Sequence, residues 1–70
     1  MPPVIKYKVL IKVFKKMGFF FLCQKGSHER WAYPDGRKIT IPNHKEIAYG
    51  TFCSICEQAK ITPKMFFDEI

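Results

Sequence analysis

Acidic residues are scarce in this chain, six against twelve lysines and arginines. They are also scattered, so no paired-carboxylate active site can be read from them. Glycine is rare too, with four residues and no phosphate-cradling loop among them. Three cysteines, an odd number, make no disulfide framework. Long apolar runs are missing: the longest, Phe19 to Cys23, falls far below the roughly 20 residues needed to cross a bilayer. Lysines at positions 6, 8, 12, 15 and 16 interrupt the N-terminal stretch, so neither a signal peptide nor a membrane span is read there. The expectations are no membrane partner and a reducing, cytoplasmic location. Seventy residues leave no room for a second domain, so residues 1–70 are read as one. A chain of that size has a small core, and any site should be shallow and open.

What is present is apolar bulk and positive charge. Hydrophobic residues make up 47% of the chain and aromatics 16%, too much for a disordered segment. The net charge of +6 favours a polyanionic partner without choosing among nucleic acid, an anionic membrane surface and an acidic protein.

After a loose leader, Met1-Pro2-Pro3, the spacing predicts a helix from about Val4 to Met17. Leu10, Val13, Phe14 and Met17 form its apolar stripe, with Lys8, Lys12, Lys15 and Lys16 opposite. That lysine face is either solvated or a contact surface for a phosphate or partner. Gly18 is the stop. Phe19 to Gln24 reads as a strand of ambiguous parity, because both alternate sets are apolar. One of its phenylalanines could stand on the outer face and stack on a base.

Lys25-Gly26-Ser27-His28 is a turn into a second strand, His28 to Tyr33, whose alternation puts Trp31 and Tyr33 on one face and His28 and Arg30 on the other. Pro34-Asp35-Gly36-Arg37 is the next turn. The third strand, Lys38 to Ile41, sends Ile39 and Ile41 inward and Lys38 and Thr40 outward. Two adjoining strands therefore carry His28, Arg30, Lys38 and Thr40 to one surface. Pro42 ends the third strand, and Asn43 to Gly50 reads as a loop. Thr51 is the expected N-cap of a helix burying Phe52, Ile55, Cys56 and Ala59. Thr62-Pro63 opens a last short helix to Glu69, with Phe66 or Phe67 packed inward. The fold class is α+β, an antiparallel three-stranded meander with helices on one face and the other face open.

On that open face His28 is either an ordinary surface histidine or a proton carrier, since imidazole titrates near neutral pH. Lys25, Ser27, Arg30, Arg37 and Lys38 are the candidate RNA contacts around it, the cations being suited to phosphate. Cleaving RNA requires a base for the 2′-hydroxyl, cations on the phosphate and an acid for the leaving oxygen, with no metal needed. The acid has no assigned residue. His44 is the only other histidine, so a two-histidine arrangement is open beside its reading as a plain loop residue. Glu29 adjoins His28 in sequence but alternates to the opposite face. Cys53-Ser54-Ile55-Cys56 with the two histidines reaches four zinc donors, yet His28 and His44 stand sixteen residues apart, against the close pairing of structural zinc sites. A redox role for this motif needs a βαβ setting that is absent. The expectation is no metal and no cofactor.

The runs Phe14-Lys15-Lys16-Met17-Gly18-Phe19, Lys25-Gly26-Ser27-His28, Ile41-Pro42-Asn43-His44 and Gly50-Thr51-Phe52 with Ile55 resemble the HicA (YcfA-like) toxins of bacterial toxin–antitoxin pairs. Trp31, the proline-bearing turn and Ile61-Thr62 before a helix with Phe67 also fit, so the likeness runs from about Ile5 to Phe67. It implies an α-β-β-β-α fold like that of a double-stranded-RNA-binding domain. It also implies mRNA cleavage independent of the ribosome, a HicB-type antitoxin covering the active surface, and His28 as the catalytic histidine. Lys45-Glu46-Ile47-Ala48-Tyr49 and the two cysteines of the following helix depart from the pattern. Two rival readings are a non-catalytic RNA-binding module using the same face and a protein docking an acidic partner on its lysine face.

Overall fold

Leu10, Val13 and Phe14 recur at helical spacing and are all buried, which is why the first long element is a helix. It is α1, Tyr7–Met17, in a computed structural model that describes residues 3–70. Of the expected leader, Met1 and Pro2 lie outside the described residues. Lys8, Lys12, Lys15 and Lys16 are exposed as expected, but Lys15 reaches back towards the sheet, its ammonium 5.8 Å from the centre of the Trp31 ring. Gly18 closes the helix in the left-handed region at φ 115°, its N–H reaching back to the carbonyls of Phe14 and Lys15. A Cβ there would come within 3.0 Å of the Tyr33 ring, so glycine is required by both backbone and space.

The helix starts later than its periodicity indicates. Residues Val4–Lys6 form a short strand, β1, paired antiparallel with β5, Glu46–Ala48. Ile5 faces Ile47 across this pair and both are buried, while Lys6 stands opposite Glu46. Part of the expected Asn43–Gly50 loop is therefore a strand. The gain comes from burying two isoleucines that lie far apart in sequence, which local periodicity does not report.

Strands β2 (Phe20–Lys25), β3 (His28–Ala32) and β4 (Lys38–Pro42) form the antiparallel meander in sheet order β2-β3-β4. Trp31, Ile39 and Ile41 face inward against Leu10, Phe14, Phe52 and Ile55. The parity of the phenylalanine run is broken by an irregularity in pairing between Phe21 and Cys23, and Phe19, just before β2, packs on Phe14 and Tyr33. Phe19 alone is buried there, with Phe20, Phe21 and Leu22 each about half exposed along the sheet edge.

Helix α2, Tyr49–Ala59, begins two residues before the expected Thr51 cap, because β5 runs directly into it with Ala48 as N-cap. Its inward residues are the expected ones: Phe52, Ile55, Cys56 and Ala59 are buried. Helix α3, Pro63–Asp68, opens as expected, the Thr62 hydroxyl accepting the Met65 N–H at 3.1 Å. Of the two phenylalanines offered for its anchor, Phe66 is fully buried and Phe67 is exposed. The α-β-β-β-α order, with helices on one face of the sheet, stands as read.

Glu29 is the one buried charged side chain among the described residues. Its carboxylate accepts the Trp31 indole N–H at 2.9 Å and the Tyr7 hydroxyl, tying the start of α1 to β3. Burial first, then the hydrogen bond and charge of Glu29, push the Tyr7 hydroxyl up to about 12. In the unfolded chain it titrates near 10, so this clamp stabilises fully below pH 10 and is lost as pH rises towards 12. Circular dichroism across that window should show stability falling. Tyr7→Phe should flatten the fall while costing about 1.5–3 kcal/mol at neutral pH, the range for a hydrogen bond to a charged group. An unchanged alkaline slope in that variant would refute the clamp.

Candidate functional site

The turn that carries His28 is closed by the direct pairing of Lys25 with His28, leaving Gly26 and Ser27 as a two-residue loop. Gly26 sits at φ 62°, the positive value needed at the first central position of a type II′ hairpin, whose twist suits the flanking strands. The Gln24 side-chain amide donates to the Gly26 carbonyl at 2.9 Å and braces the loop. On the other side His28 is directly opposite Pro42 in β4. The histidine therefore stands in the middle strand at the end of the sheet, exposed, with its position set from both neighbours.

Side chains on the pleat follow from this register. Lys25 lies straight across from His28, and Arg30 is the next residue on the same face, opposite Cys23 and Thr40. Lys38 pairs with Ala32, four residues along β4 from Pro42, so it lies about 13 Å further down the strand. Ser27 is exposed in the turn itself. Lys25, Ser27 and Arg30 thus gather near His28, and Lys38 continues the same face.

Arg37 does not join them. Its guanidinium pairs with Asp35 at 2.8 Å, donates to the Ala59 carbonyl at 2.5 Å and lies 4.3 Å from the centre of the Tyr33 ring. The β3–β4 turn, at the opposite end of the sheet from His28, uses this arginine to hold the C-terminus of α2. Sequence distance brought Arg37 near Lys38, but its three partners keep it in the scaffold.

Beside β4 the surface is hollowed into a shallow groove of about 340 Å³. One wall holds His28, Thr40, Pro42 and His44. The other is the outer side of α2, with Thr51, Ser54, Ile55 and Gln58. Gln58 fixes the width by accepting the Thr40 backbone N–H at 2.9 Å, which satisfies the free edge of β4. No acidic side chain lines this groove. A second depression of about 400 Å³ lies between Lys6, Tyr7, Lys8, Lys45 and Glu46, with no histidine in it. The α2 wall has no signal in the sequence: Thr51 has the pattern of a helix cap, Ser54 is a spacer within the C-x-x-C, and Gln58 belongs to no motif.

The C-x-x-C does not build a centre. Cys56 is buried in the core, its thiol pushed up to about 11 by burial, and Cys53 is partly buried. Among the described residues no three of His, Cys, Asp and Glu are grouped to hold a metal ion. Glu29 points into the core as expected, bonded to Tyr7 and Trp31 rather than to His28.

The family model for the HicA toxin of bacterial toxin–antitoxin systems matches residues 7–61. The chain belongs to the HicA toxin family. No curated protein matches it. The family match begins where α1 begins and ends just past α2, so it spans the Gly-Ser-His turn, the whole meander and both walls of the groove. Membership makes this HicA chain the toxin half of a toxin–antitoxin system, in a family whose toxins are in general ribonucleases. None of its described helices is long and apolar enough to cross a membrane.

Proposed function

We propose that residues 1–70 act as one toxin domain in the cytoplasm, cleaving mRNA without the ribosome or a metal, and that a HicB-type antitoxin silences it by covering the open face of the sheet. The observation that carries this reading is the placement of His28: a solvent-exposed imidazole in the family-matched stretch, across from Lys25 and one pleat from Arg30.

In this mechanism the strand of RNA lies along the open face. Lys25 and Arg30 hold the non-bridging oxygens of the scissile phosphate, and the Ser27 hydroxyl adds a donor at the turn. Lys38 takes a phosphate further along. His28 accepts the 2′-hydroxyl proton as the O2′–phosphorus bond forms and the bond to the 5′-oxygen breaks. The departing 5′-oxygen takes up a proton in the same step, so the products are a 2′,3′-cyclic phosphate and a 5′-hydroxyl.

The test is incubation of purified protein with RNA in EDTA at several salt concentrations. Fragments in EDTA, with binding that weakens as salt rises, are the expected result. Intact RNA despite tight binding would make the chain an RNA-binding module. Cleavage abolished by EDTA would make it a metal nuclease. Absence of RNA affinity at low salt would instead favour docking of an acidic partner on the lysine face.

A further inference from the structure

The acid that protonates the leaving 5′-oxygen can be sought among the groove residues, and one of them is a second histidine. His44 follows β4, and three backbone constraints lock it beside the catalytic turn. His28 is the direct cross-strand partner of Pro42, which places their Cα atoms about 5 Å apart. The Asn43 N–H donates to the Ser27 carbonyl at 2.6 Å, tying the post-strand loop to the residue before His28. The His44 N–H turns back to the Pro42 carbonyl at 2.9 Å, a three-residue turn that swings the chain over the groove. Both histidines then line the same hollow of about 340 Å³.

Chemistry supplies the rest. Transfer of the phosphorus from the 5′-oxygen to O2′ removes one proton and requires another on the departing oxygen within the same step. One imidazole cannot accept and donate at two atoms together, whereas two on a shared groove can. The cations nearest in register are Lys25 on β2 and Arg30 on β3, while the α2 wall presents the uncharged Thr51, Ser54 and Gln58. Lys45 follows His44 in the loop. Lys45 lines the separate depression with Lys6 and Tyr7, so the cations in register with the groove's histidines are those beside His28, where they suit the phosphate.

Resting on the ribonuclease reading above, we infer that His44 is a second catalytic residue of this site, the general acid that donates a proton to the 5′-oxygen as His28 takes the 2′-hydroxyl proton. After cleavage the cyclic phosphate leaves with His28 protonated and His44 deprotonated, and exchange with water resets both.

The deciding experiment compares an ordinary oligoribonucleotide with one whose scissile 5′-oxygen is replaced by sulfur. A thiolate leaves without protonation, so it needs no acid. His44→Ala, a change at an exposed loop residue, should lose about 10²- to 10⁴-fold on ordinary RNA. On the sulfur-linked substrate its rate should stay close to that of the unaltered chain. His28→Ala should lose activity on both. The pH profile of kcat/KM should be bell-shaped in the unaltered protein, and the His44 variant should lose the falling limb at high pH. Full activity of His44→Ala on ordinary RNA would overturn the assignment. So would an equal loss on both substrates, which would make the residue a wall of the groove, or sulfur rescue of the His28 variant instead. If the unaltered chain cleaves neither substrate, the ribonuclease reading itself fails and takes this inference with it.

Discussion

Replacing His28 by alanine should leave the domain folded and reduce RNA cleavage by at least about 10²-fold, the lower range for a lost proton carrier. The fold should survive because the imidazole is exposed and buries nothing against the core. The strand pairing of residue 28 with Lys25 and Pro42 is made by backbone atoms that alanine retains. Exposed substitutions of this kind stay within about 0.5 kcal/mol. Three measurements belong together: fragments from RNA in vitro, growth arrest on expression, and the thermal transition by circular dichroism. The expected pattern is an unchanged transition with neither cleavage nor arrest. Full activity in the variant would sink the mechanism, and a collapsed transition would show that the residue matters to the fold instead.

How far the sequence carried the fold depends on the range of the interaction concerned. The meander was readable because its signals are local: Trp31, Ile39 and Ile41 alternate with outward residues, and turn residues separate the strands. Strands β1 and β5 were hidden because three-residue segments hold no period, and their stability comes from Ile5 meeting Ile47 across the chain. The phenylalanine run was undecidable for a different reason. With apolar residues at both parities, only tertiary contact selects which side chain is buried: the Phe19 ring lies 5.2 Å from Phe14 and 4.9 Å from Tyr33.

The site divides the same way. Alternation alone placed His28 and Arg30 outward, and their register with Lys25 follows from the tight turn. Nothing local marked His28 as a catalyst; that rested on the resemblance. Arg37 was misleading because a basic residue in a turn looks free until Asp35, Tyr33 and the Ala59 carbonyl are seen around it. The α2 wall could not be read at all, since Thr51, Ser54 and Gln58 become neighbours of His28 only when the helix docks against the edge of β4.

That docking depends on Phe52, and Phe52→Ala should be the most damaging single truncation outside the site. The side chain is fully buried on the inward face of α2. Its ring lies 4.8 Å from Phe66, and 5.5 Å from both Tyr49 and Phe67. Truncating a buried phenylalanine costs about 3–5 kcal/mol, whereas 70 residues hold about 4–10 kcal/mol in total. The transition should therefore fall by about 15 °C or more, and part of the population should be unfolded at 37 °C. Cleavage should fall with it, for a reason unlike that in His28→Ala. When α2 loosens, Gln58 leaves the Thr40 N–H and the groove loses one wall, although every proposed catalytic group remains. Phe52→Leu fills most of the cavity and should recover both stability and cleavage in part. Thermal denaturation of the two variants beside the unaltered chain measures this directly. A midpoint within a few degrees for Phe52→Ala would show that α2 is held by its other contacts, and that the groove does not depend on the aromatic cluster beneath it.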